Sequence, residues 1–177
     1  MRGPNASPRL ADLLRGGDQR SIGRADQIAK LILSESKRFA ELLKCLWDED
    51  PVVRMRAADA AEKITVTRPE LLKPNKQELL GLLDEAEQIE LRWHLALLVP
   101  RLSLSEAERA RAAAALQRYL EDRSSIVKTF ALQGLADLAQ QDANLREPVR
   151  RTLEESLRTG SAAMKARARK LLKELQD

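Results

Sequence analysis

An all-α fold is what this sequence predicts, on three grounds. Aromatic residues make up 3% of the 177-residue chain while hydrophobic residues make up 44%. Strands draw on aromatic and β-branched side chains, whereas helix packing draws on the Leu and Ala that dominate here. Seven glycines and seven prolines are too few to turn a chain through many short strands. Finally, apolar residues recur at helical spacing in segments bounded by cap-like residues, and the segments themselves recur every 32–38 residues or so.

Taken in order, residues 1–8 contain Gly3, Pro4, Asn5, Ser7 and Pro8, the composition of a loose segment. Residues 9–177 read as one helical domain. A short amphipathic helix is expected from Arg9 to Arg15, closed by Gly16 and Gly17, and a second from about Ser21 to Leu33. The helix over 35–48 should bury Phe39, Leu42, Leu43 and Leu46, with Cys45 and Trp47 as packing beside that stripe.

Asp50 to Ile64 (DPVVRMRAADAAEKI) is the stretch to which the others align. Asp50 can cap the helix, and Pro51 suits a first helical position whose N–H would lack an intrahelical partner anyway. Val53, Ala57, Ala60, Ala61 and Ile64 share one face, flanked by Arg54 and Arg56. After a turn bracketed by Pro69 and Pro74, Asn75 with Glu78 reads as a capping box before Leu79, Leu80, Leu82 and Leu83. The partner helix, from about Gln88 to Leu102, carries Leu91, Leu95, Leu98, Val99 and Leu102, and Pro100 should kink it. Ser105 with Glu108 is another capping box, for a helix ending near Leu120. Ser124 to Ala139 follows with Val127, Ala131, Gly134, Leu135 and Leu138 in register. Asn144 with Glu147 should open the last pair, which Gly160 and Ser161 break before Met164, Ala168, Leu171, Leu172 and Leu175. Arg54, Arg92, Lys128 and Lys165 hold one position throughout. Each pair leaves an apolar face that a neighbour must cover, so about five pairs stacked as a solenoid are expected.

Through Asp50, Pro51, Val53, Arg54, Ala57, Ala60, Ala61 and Ile64 the pattern resembles the HEAT repeat of the armadillo-like superfamily. That resemblance implies a right-handed α-α superhelix of about five antiparallel helix pairs, a HEAT-like solenoid over 9–177. It also implies that the second helix of each pair lines a concave surface. The third pair replaces Ala with Leu and the first lacks the Val-Arg dipeptide. The stricter period and the Trp, Gly, Tyr and Pro positions of tetratricopeptide repeats are not found.

Charge and chemistry narrow the function classes. The net charge is +4, with six basic to three acidic residues over 1–30, sixteen to nineteen over 31–144 and nine to five over 145–177. The basic C-terminal stretch could meet phosphates or acidic proteins. Cys45 is the only cysteine, so no internal disulfide can form. Without an apolar N-terminal run or a membrane-length stretch, the expected location is cytoplasmic. His94 is the sole histidine and no motif pairs it with Cys45. No metal-ligand cluster or phosphate-cradling glycine loop is present, so neither catalysis, a metal nor a cofactor is expected. The acidic run Asp48, Glu49, Asp50 reads as turn capping.

At about 100° per residue, the positions opposite the buried stripes are Met55, Ala58, Asp59 and Glu62 in the second pair. Trp93, Ala96, Leu97 and Pro100 follow in the third, Thr129, Leu132, Gln133 and Ala136 in the fourth, and Ala166, Arg169, Lys170 and Lys173 in the fifth. Met55, Trp93, Leu97 and Leu132 thus form an apolar strip on the side that should be wet, the usual mark of a binding site. The expected function is a non-enzymatic scaffold taking a protein or peptide there, with Lys165, Arg167, Arg169, Lys170 and Lys173 as contacts for an anionic partner. The alternative is nucleic-acid binding through Arg54, Arg56, Arg92, Lys128, Lys165 and Arg167. The resemblance implies this alternative because the HEAT-like superfamily includes glycosylases of alkylated DNA bases, which use Trp and an acid on a basic concave face. No acid accompanies Trp93 in this register, and Asp59 lies one pair away.

Overall fold

The computed structural model describes residues 8–15 and 23–175. Among them every regular element is helical, in ten α-helices with 3-10 turns at several of the joints. The segment expected to be loose (Pro8 excepted), the Gly16 and Gly17 stop and the Ser21 start lie outside the described residues. The chain divides into two compact units between Leu71 and Leu72. The division falls within the 3-10 turn Pro69–Asn75.

The first unit holds α1 (Leu10–Leu14), α2 (Ala25–Ser34), α3 (Phe39–Lys44) and α4 (Pro51–Thr65). α4 starts as its sequence requires: the Asp50 carboxylate accepts the Val52 N–H at 2.9 Å, with Pro51 in the first turn. Asp48 accepts the Asp50 N–H at 3.0 Å, so the acidic run does cap this turn. Val53, Ala57, Ala60, Ala61 and Ile64 are fully buried, and α4 packs on α1, α2 and α3. Ala58, expected on the outward side, is buried too, because α4 meets helices on more than one side. α1 has no side-chain cap of its own; Glu41 from α3 accepts the Leu10 N–H at 2.8 Å instead.

Two residues of this unit depart from expectation. Arg56 is buried rather than flanking the stripe, and its Nη1 donates to the Leu14 carbonyl at 2.7 Å. The turn above it needs Gly23, which sits at φ +54° where a Cβ would come within 2.7 Å of the Arg56 guanidinium carbon. Trp47 is exposed at 45% rather than buried with the Phe39/Leu43 stripe. α3 stops at Lys44 and the chain tightens into a 3-10 turn over Cys45–Trp47, which rotates Trp47 off the α-helical face. Cys45 is buried as expected, its Sγ 3.4 Å from the Glu41 carbonyl, and burial pushes its thiol up to about 11.

The second unit holds α5 (Lys76–Glu85), α6 (Ile89–Leu98), α7 (Glu106–Tyr119), α8 (Ser125–Gln141), α9 (Ala143–Thr159) and α10 (Ala162–Glu174). α8 is its hub, packed by α6, α7, α9 and α10. The α6–α8 crossing is close because Gly134 has no side chain; a Cβ there would stand 2.4 Å from the Ala96 carbonyl oxygen. Ser105 and Glu108 make both bonds of the expected capping box. Asn75 makes no side-chain cap bond, and the α9 cap is Asp142 rather than Asn144. Pro148 consequently stands inside α9 rather than in its first turn. Pro100 does not kink an α-helix: α6 ends at Leu98 and the chain continues as a 3-10 turn, Val99–Arg101. Leu172 and Leu175, at the end of the chain, are only half-buried.

Polar bonds also link residues 32, 33 and 36 positions apart within this unit. Lys76 meets Glu108 at 2.7 Å, Arg109 meets Asp142 at 3.2 Å, and the Tyr119 hydroxyl donates to the Leu83 carbonyl at 2.7 Å.

Candidate functional site

Three half-buried side chains of α8 are spaced along one line. Phe130, Gln133 and Asp137 fall at steps of three and four, while Ala131, Leu132, Gly134, Leu135, Ala136, Leu138 and Ala139 around them are buried. Trp93 of α6 stacks on Phe130 with ring centroids 5.1 Å apart and planes 26° from parallel. From the other neighbouring helix, α10, the Arg167 guanidinium carbon lies 5.4 Å from the Phe130 centroid. Arg167 also donates to Gln133 Oε1 at 2.6 Å, and Gln133 Nε2 donates to Asp137 Oδ1 at 2.8 Å. Three helices therefore contribute to one connected face. Leu97, one turn along α6 from Trp93, is half-buried beside it in sequence register.

The sequence-derived strip is only partly reproduced. Trp93 and Leu97 are half-buried on α6. Leu132 is fully buried and leaves the strip. Its assignment assumed that the side of α8 opposite the buried stripe is open, but α8 is covered by four helices and its open line runs through Phe130 instead. Met55 is half-buried on α4, in the first unit. Of the basic set, Arg169, Lys170 and Lys173 are exposed, Lys165 is half-buried, and Arg167 is engaged as described.

Phe130 and Asp137 were missed by sequence reasoning, which did place Gln133 on the outward side, although a signal for them existed. Within the aliphatic run of α8 they are the aromatic and polar positions at helical spacing, and those positions mark the open side more directly than extrapolation from α4 does. Asp137 supplies an acid on the face where none was expected. Burial raises its carboxyl above the ordinary range, against the bond from Gln133 and the nearby Arg101 and Arg167.

Most of the cations named for nucleic-acid contact are occupied within the fold. Arg54 Nη1 donates to the Asp48 and Glu49 carbonyls at 2.7 and 3.0 Å. Arg92 donates through Nε to the Ala86 carbonyl at 2.6 Å and through Nη1 to Asp122 at 2.5 Å, and its guanidinium lies 5.2 Å from the Tyr119 ring centre. In both helices the cation reaches the carbonyl six residues back, at the preceding turn. Burial raises the Asp122 carboxyl, but the Ser124 N–H and the Arg92 guanidinium outweigh that and hold it below its ordinary value.

Chemically the face offers apolar contact and charge, with no grouping suited to bond-making. His94 is buried behind Trp93, and Cys45 belongs to the first unit. No group of three His, Cys, Asp or Glu able to hold a metal occurs among the described residues. A separate open cleft of about 1160 Å³ runs past the starts of α8 and α10, lined by Lys128, Arg151, Arg158, Glu154 and Glu155. Its charges are mixed, and the aromatic residues do not reach it. Among the described residues no helix is long and apolar enough to cross a membrane.

Among solved structures the chain is similar to the crystal structure of an engineered protein, with a TM-score of 0.64 at 20% identity over 94% of this chain and 78% of that one. At such identity the likeness concerns the fold alone. No protein-family model and no curated protein matches the chain.

Proposed function

We propose that this chain is a HEAT-like α-solenoid scaffold, without enzymatic activity, that binds a protein or peptide on the inner face of its second helices. The observation that carries the proposal is the half-buried Trp93–Phe130 pair, set beside Leu97 and contributed by successive second helices. Partly open aromatic groups on a rigid helical support are what protein interfaces use as anchors. The repeat reading is supported by Arg54 and Arg92, whose guanidinium groups each donate to the carbonyl six residues back, in the turn before their helices.

Nucleic-acid binding remains the second reading, carried by exposed Arg169, Lys170 and Lys173 on α10. It is the weaker one. Stacking a base needs an open aromatic face, and here Phe130 is taken by Trp93 and Arg167 while Trp93 also abuts the His94 ring, 3.4 Å between centroids. The two readings separate in one experiment. A partner captured by the chain and then purified should bind it directly, and Trp93→Ala should lose that binding while keeping its helical circular dichroism. Nanomolar binding of DNA or RNA at physiological salt, or release of an alkylated base by the purified chain, would overturn the scaffold reading.

A further inference from the structure

Resting on the reading above, we propose that the occupant of this face is an acidic peptide. It sets an apolar side chain against Trp93, Leu97 and Phe130 and its carboxylates against α10. Two independent features select that chemistry. The first is the state of the rings. Trp93 and Phe130 stack on each other, Arg167 lies against Phe130 and His94 abuts Trp93, so the ring faces are already engaged. Ring edges and the Leu97 side chain match an aliphatic or aromatic peptide side chain. They do not match a planar base or a cation seeking an aromatic face.

The second feature is charge. α10 carries Lys165, Arg167, Arg169, Lys170 and Lys173 and a single acid, Glu174. Arg169, Lys170 and Lys173 are exposed, and the Lys170–Glu174 contact is loose at 3.6 Å. Arg167 joins the two features, because it touches Phe130 and can donate more bonds than the one it makes to Gln133. Of the acids here, Asp137 is half-buried and bonded by Gln133, and exposed Glu174, close enough to act on it, faces Lys170 at 3.6 Å, so a basic peptide meets less free counter-charge than an acidic one does. Cations at the edge of an apolar contact steer and select partners more than they hold them. Affinity should therefore depend on Trp93, and partner choice on α10.

The test pans a displayed library of random short peptides against the full chain and against Trp93→Ala. A peptide from the selected pool is then titrated onto the Trp47→Phe chain, in which Trp93 is the only indole. The expected pool is rich in Asp and Glu around apolar residues. Its member shifts the Trp93 emission, and binding weakens roughly tenfold or more in Trp93→Ala and in the Lys170→Glu/Lys173→Glu chain, with circular dichroism unchanged. A Trp93-dependent pool that is neutral or basic overturns the acidic assignment and leaves the peptide-binding reading standing. A pool indifferent to Trp93→Ala, or no pool, overturns both. So does a single-stranded oligonucleotide that displaces the peptide with equal affinity at physiological salt.

Discussion

Arg92 illustrates how a residue type that suggests nucleic acid can be spent on structure. Its Nη1 meets an Asp122 carboxylate that is buried, and its Nε closes the Ala86 turn. Arg92→Ala removes charge-assisted bonds and strands a buried acid, so stability at neutral pH should fall by about 1–3 kcal/mol without any ligand. The sign of the pH effect follows from Asp122, whose folded value is depressed. Its contribution is present above the unfolded carboxylate value and is lost as pH falls through the folded one. Denaturation curves of both chains should therefore converge in acid. Asp137 runs the other way. Its carboxyl is raised by burial, so its contribution is fully present below the unfolded value and lost as pH rises through the folded one. Asp137→Asn should melt higher than the parent at neutral pH, and the gain should vanish in acid. A fall in melting temperature at neutral pH would show that the ionised group is better compensated than its burial implies.

At the scale of the helix, α8 decides what the second unit can present. Although four helices cover it, the line through Phe130, Gln133 and Asp137 stays partly open, as do Lys128 on another side and Ser125, Ile126, Gln140 and Gln141 at its ends. Its closest approach, to α6, depends on Gly134. Gly134→Ala would drive a methyl to 2.4 Å from the Ala96 carbonyl oxygen, where backbone must give way. The expected loss is about 1–3 kcal/mol in chemical denaturation, despite the better helix propensity of Ala. α7 depends on its start. Ser105→Ala deletes the acceptor for the Glu108 N–H at 3.2 Å, and about 1 kcal/mol should be lost. Glu108 also answers Lys76 from α5, whose bond, with that of the Ser105 N–H, holds its carboxyl down at about 2. The cap and the inter-helix bond thus share one side chain.

For the whole molecule the prediction concerns separation of fold from binding. Trp93 is half-buried, so Trp93→Ala loses some packing against Phe130, about 0.5–1.5 kcal/mol beyond area for such pairs, yet should leave the circular dichroism helical. A partner that uses the face should lose more than about 2 kcal/mol of binding. Nucleic-acid binding, if measured, should be weak, unspecific and steeply salt-dependent, and should map to α10, whose Arg169, Lys170 and Lys173 are exposed.

The helices and most of their buried stripes were legible in the sequence because both depend on local spacing. Val53, Ala57, Ala60 and Ile64 recur at three and four residues, and Asp50 and Ser105 announce their own caps. Such signals need no knowledge of neighbours. The open face was only half legible. Trp93 and Leu97 could be assigned because α6 leaves that side partly uncovered, but Leu132 could not, since its exposure depends on how many helices surround α8. Trp47 was misjudged for a related reason: one 3-10 turn at Cys45–Trp47 changes the angular step that periodicity assumes. By itself the sequence determined which segments are helical and which side of each is most apolar. Only tertiary packing decided which of the remaining sides stays open, because exposure is a property of the neighbours a helix acquires and not of the helix alone.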